Sequence, residues 1–137
     1  MLIVTDGAPE TIKIAASIAG ALKGNKVLTK TAVEFAGNDI LPADAFFLGC
    51  ENAAPDSFAY LTDLLKHINL AGRPCGIFSS GTKKTAGYLA RLVKDCEAAL
   101  APEFLTASGG EPRPTGSTAS TASDVKNWAQ NIVSRSF

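Results

Sequence analysis

The turn "TDGAPET", Thr5 to Thr11, joins a short apolar run to an amphipathic stretch. At such a junction a glycine-bearing loop and the amides of a helix N-terminus commonly bind phosphate. Here Asp6 and Glu10 supply two negative charges instead. Pro9 suits the first turn of a helix, and with Gly7 as N-cap Glu10 falls early in that helix, where a carboxylate complements the dipole. The loop has the architecture of a phosphate cradle and the chemistry of a helix cap. Cys50 is the second group with chemistry to offer, but Glu51 beside it should raise rather than lower the thiol pKa. Cys50, Cys75 and Cys96 are widely spaced and form no CxxC pair, so reduced thiols are expected rather than a zinc site or redox dithiol. His67 is the single histidine and has no second one with which to share a metal. It reads as a half-exposed helix residue, and neither a Ser-His-Asp nor a Cys-His arrangement can be built around it.

The elements that must position these groups follow from hydrophobic periodicity. Met1 to Val4 reads as a first strand, and Ala15, Ile18, Ala19 and Leu22 then recur at helical spacing until Gly24-Asn25 ends the helix. "KVLTKTAV", Lys26 to Val33, is rich in β-branched residues and predicts a second strand. "AFFLG", Ala45 to Gly49, is unbroken apolar, the pattern of a strand covered on both faces in a parallel sheet. A helix carrying Phe58, Leu61, Leu65 and Ile68 on one face follows, closed by Ala71-Gly72. "PCGIFSSG" predicts a fourth strand, and Ala86, Leu89, Leu92, Val93 and Cys96 line the inner face of the next helix. "EFLTASGG" predicts a fifth strand, and "EPRPTGSTASTAS" is rich enough in Pro, Gly, Ser and Thr to read as loop. A last helix, capped by Ser123, buries Val125, Trp128, Ile132 and Val133. Strands alternating with helices predict one α/β domain over residues 1–137: a three-layer sandwich around a five-stranded parallel sheet of order 2-1-3-4-5. In such sheets ligands gather beyond the carboxyl ends of the strands, where the winding reverses. The loops "TDGAPET", "CENAAPDS" and "SSGTKKT" would meet there.

Taken in order, "IVTDGAPETIKIAASIAGAL", "LPADAFFLGC" and "LTDLLKHINLAGRPCGIFSSG" resemble flavodoxin across nearly the whole chain. Thr11 to Ala15 is similar to the start of that family's first helix, just after its phosphate loop. The resemblance implies an FMN-type redox or electron-transfer domain, an electron carrier or non-catalytic binding domain rather than an enzyme. It implies a flavin site drawn from Thr5, Asp6, Gly7, Ala8, Glu10 and Thr11, from Cys50, Glu51 and Asn52, and from Ser79, Ser80, Gly81 and Thr82.

The loop residues depart from that family in one direction. Only Thr5 and Thr11 keep hydroxyls in the first loop, Ala8 brings no donor side chain and Pro9 no amide. Two unit charges about 5 Å apart at an effective dielectric near 20 repel by roughly 3 kcal/mol, about two decades in affinity. No Phe, Tyr or Trp stands in "CENAAPDS" or "SSGTKKT" to sandwich a flavin ring, and Phe58, Tyr60 and Tyr88 fall within the helices that follow, where they read as packing. FMN binding is therefore expected to be weak or lost, leaving a flavin-free binding or protein-interaction module on the same scaffold as the alternative.

Other phosphate chemistries fit less well. A phosphorylatable receiver domain would need a second acid beside Asp6, an Asp ending the third strand and a Lys ending the fifth, but the third strand ends in Gly49-Cys50 and "FLTASGG" has no lysine. In "GIFSSGTKKT" Thr82, not lysine, follows Gly81, which breaks the nucleotide-binding pattern. Lys83 and Lys84 are left as loop charges able to draw an anion to the mouth of the site. With 13 basic and 13 acidic residues no global field recruits nucleic acid, and the N-terminal apolar run is too short for a signal peptide or membrane span. A cytoplasmic protein with a redox or protein partner, and without nucleic acid or membrane, is the expectation.

Overall fold

A computed structural model of the chain describes residues 1–22, 24–40, 42–79, 83–101, 104–106, 113–114 and 122–134. Strand β1 (Leu2–Thr5) is buried along its length and has β2 (Leu28–Thr31) on one side and β3 (Phe46–Gly49) on the other, both parallel to it. β4 (Pro74–Ser79) extends the parallel sheet beyond β3. The fifth position is filled by two short pieces parallel to β4: β5 (Ala99–Leu100) beside its start and β6 (Leu105–Thr106) beside its end. This is the order 2-1-3-4-5 that the alternation of elements predicts, with one addition: β7 (Arg113–Pro114) runs antiparallel to β6.

The inner strands β1, β3 and β4 read as apolar runs because both faces are covered, and successive side chains go to opposite faces. Ile3, Phe47 and Phe78 pack with Ile14, Ala15, Ile18 and Leu22 of α1 (Pro9–Ala21) and with Val125, Trp128 and Ile132 of α5 (Ala122–Val133). Leu2, Val4, Phe46, Leu48 and Ile77 pack on the other face with Leu61 and Leu65 and with Leu89, Leu92 and Val93. Those residues come from α3 (Ala59–His67) and α4 (Lys83–Asp95) respectively. A short helix, α2 (Gly37–Ile40), lies between β2 and β3 and buries Ile40. The close approach of α5 to the sheet depends on Gly76 in β4: a Cβ there would stand 2.6 Å from Ile132 Cδ1 and 2.9 Å from Trp128 Cη2.

Several expected boundaries move. The N-cap of α1 is Ala8, with Pro9 as the first helical residue, while Gly7 stands before it at φ +86°, a backbone that glycine adopts without strain. β2 is shorter than the stretch Lys26 to Val33, because its edge position lets the chain turn at Ala32, and Val33 is 75% exposed. α5 starts at Ala122, one residue before the expected cap Ser123. A proline-rich stretch read as loop contributes β7 at an edge, where a strand tolerates proline; the rest of that stretch, apart from the start of α5, lies outside the described residues. Among the described residues no helix is long and apolar enough to cross a membrane.

Candidate functional site

Thr5, Gly49 and Phe78 are register partners across β1, β3 and β4, so Asp6 and Cys50, where the chain leaves the sheet, neighbour Ser79 at the end of β4. The loops after β1 and β3 face each other across the reversal of winding, where α/β sheets hold ligands. Gly49 itself is fixed by packing, since a Cβ there would enter the Phe78 ring.

The first loop is tied by its own side chains. Gly7 N–H donates to Thr5 Oγ1 at 3.3 Å, and Ala8 N–H donates to Asp6 Oδ1 at 3.0 Å. The second oxygen of Asp6 reaches across the crevice, where Glu51 N–H donates to Oδ2 at 2.8 Å. Glu51 is held on its other side by Thr85, whose hydroxyl donates to the Glu51 carbonyl at 3.2 Å, and Ser79 Oγ donates to the Cys50 carbonyl at 2.8 Å. The peptide run Cys50–Glu51 is thereby anchored to the end of β1, the end of β4 and the first turn of α4. Thr85 was not legible as a site residue, because its bond goes to a backbone carbonyl 34 positions away. Its only signal is the hydroxyl-rich "SSGTKKT".

The remaining candidates separate by environment. Glu10 is exposed in the first turn of α1, where a carboxylate complements the helix dipole as expected, and it pairs with Lys13 at 3.2 Å. Asp6 lies before the helix: the N-cap residue is Ala8, which makes no side-chain cap bond, and the Asp6 carboxylate spans the two loops. Thr11, in the first turn of α1, is fully buried, and its hydroxyl has no hydrogen-bond partner among the described residues. Asn52 is exposed. Cys50 is fully buried and its thiol is pushed up to about 12, by burial first and by the Asp6 charge second, so it stays protonated and unreactive at neutral pH. Ser80, Gly81 and Thr82 lie outside the described residues.

The aromatic residues near these loops pack mainly in pairs. Phe58 is buried against Tyr88 with ring centroids 6.4 Å apart, and Tyr88 Oη lies 3.3 Å from Thr62 Oγ1. Tyr60 stacks at a tilt on Phe35 at 5.5 Å and remains half exposed. His67 sits at the far end of α3, exposed, with Nδ1 2.8 Å from the Asp63 carbonyl, and no group of metal-binding side chains occurs among the described residues.

No family model and no curated protein matches the chain. Solved structures do. The chain is similar to a short-chain flavodoxin associated with a bacterial microcompartment, at 17% identity and TM-score 0.80, over 99% of this chain and 97% of that one. It is similar to oxidised flavodoxin 2 of Bacillus cereus at 21% identity and TM-score 0.75, over 99% and 98% of the two chains. A Fusobacterium nucleatum flavodoxin bound to flavin mononucleotide aligns at 13% identity and TM-score 0.71, over 98% and 96%. The protein has a flavodoxin-like α/β fold.

Proposed function

We propose that the chain is a flavodoxin-type redox domain whose crevice holds FMN weakly or not at all. The fold, the meeting of the loops after β1 and β3 at the switch point and the likeness to an FMN-bound flavodoxin support the general reading. One observation carries the qualification. In the first loop the amides of Gly7 and Ala8 are already bonded to Thr5 and Asp6, and Pro9 has no amide, so these three consecutive residues offer a phosphate no free amide. The absence of aromatic residues from "CENAAPDS" and "SSGTKKT" supports the same qualification for the ring. These residues fit FMN poorly.

The second reading, a flavin-free binding or interaction module, is favoured by the lacing of the crevice from Asp6 through Glu51 to Thr85, which orders the loops without a ligand. An electron carrier or binding domain suits the site better than an enzyme, since the Cys50 thiol is buried and His67 lies at the opposite end of its helix. The three buried free cysteines and the balanced charge support a cytoplasmic setting and a protein partner rather than nucleic acid. Colour is the direct test. Purified protein should be colourless and take up FMN only at micromolar or higher concentration, read by quenching of flavin fluorescence. Protein isolated yellow, or binding FMN at nanomolar strength, would restore an ordinary carrier; no uptake at any concentration leaves the interaction module.

A further inference from the structure

We infer that Asp6 is the resident anion of the crevice: its carboxylate fastens the loop after β1 to the loop after β3 and sets the site against ligands bearing a phosphate monoester. This rests on the crevice being the ligand site proposed above. The bond from Ala8 N–H to Oδ1 is a local turn that many aspartates make. The bond to Oδ2 is different in kind, because its donor, Glu51 N–H, lies 45 residues away on the other side of the switch point. At 2.8 Å it has the length of a charge-assisted hydrogen bond. Glu51 cannot easily withdraw, since Thr85 holds its carbonyl and Ser79 holds the carbonyl before it. An incoming dianion would meet a like charge beside two amides, those of Ala8 and Glu51, that the carboxylate already occupies.

The test separates phosphate from flavin. Wild type, Asp6→Asn and Asp6→Ser are titrated with inorganic phosphate at about pH 8, where it is mainly dianionic, and the backbone amides are followed by NMR. The wild-type spectrum serves as the check that each variant keeps its fold. The amides of Gly7, Ala8 and Glu51 should respond in the variants at phosphate concentrations about tenfold or more below those needed in wild type. An equal response in all three proteins, including none in any, overturns the inference. Parallel titrations use FMN and riboflavin, which differ in the phosphate. Wild type should bind riboflavin at least as well as FMN, and either folded variant should shift that ratio toward FMN by about tenfold or more. A wild-type preference for FMN of that size overturns the inference by itself, whether or not the variants fold. A gain in phosphate response without binding of either flavin leaves the role of Asp6 standing and removes the flavin reading.

Discussion

A buried hydroxyl with no partner among the described residues makes Thr11 a residue where function and stability separate. Leaving such a group unpaired costs about 1–3 kcal/mol, and an apolar group of the same shape avoids that cost. Thr11→Val is therefore expected to raise unfolding free energy by about 1 kcal/mol, measured by urea denaturation; a loss of similar size would show that the hydroxyl is bonded after all. Glu10 and Asp6 also separate at this scale. Sequence order places both in one loop and gives them one electrostatic role, but Glu10 turns along α1 to Lys13 while Asp6 bonds across the crevice. What was legible is the charge in the loop. What was not is the direction of each carboxylate, because the Asp6 partner is an amide whose nearness depends on two strands lying side by side. Cys50 shows the same limit: Glu51, its neighbour in sequence, predicts a raised pKa, and the rise occurs, but through burial and then Asp6.

At the scale of elements, packing against glycine decides where helices can lie. The missing side chain of Gly76 admits Trp128 and Ile132 to the face of β4, and the indole ring tilts against Phe47 with centroids 5.7 Å apart. Gly76→Ala forces a methyl group into that contact, and overpacking of this kind costs about 1–3 kcal/mol. A lower denaturation midpoint at unchanged slope, with Trp128 emission displaced in the native state, is the expected result. An unchanged midpoint would mean that α5 shifts without cost. The sequence pattern identified Trp128, Ile132 and the inward residues of α4 because helical periodicity is local. It missed α2, which is a single turn, and β7, whose pairing with β6 depends on a tertiary contact rather than on any alternation of its own. The fifth strand was expected as one run and is divided, since Ala99–Leu100 and Leu105–Thr106 each pair with a different part of β4.

For the molecule as a whole, the same burial that silences the thiols makes stability depend on alkaline pH. Cys75 and Cys96 are both raised above 9.0, Cys75 by burial and then by Cys96, and Cys96 chiefly by burial. Tyr88 is raised above 10.0, again chiefly by burial, with the Thr62 hydroxyl acting in the opposite direction. Each group holds its proton more tightly folded than unfolded, so the folded state carries more bound protons once the pH passes the unfolded values. The stabilisation is complete below the ordinary cysteine value of 9.0 and is lost as the pH rises toward the value of about 12 for Cys50. Melting temperature should accordingly change little across neutral pH and fall with increasing slope above about 9, where unfolded thiols begin to ionise. Cys75→Ala supplies the control: removal of a buried sulfur lowers stability at every pH through the lost packing, but takes one titrating group out of the alkaline limb. Its melting temperature should start lower and decline less steeply than that of wild type. Parallel curves would assign the alkaline loss to other groups, while a flat wild-type curve to pH 11 would mean that the thiols are far less withdrawn from water than their burial implies.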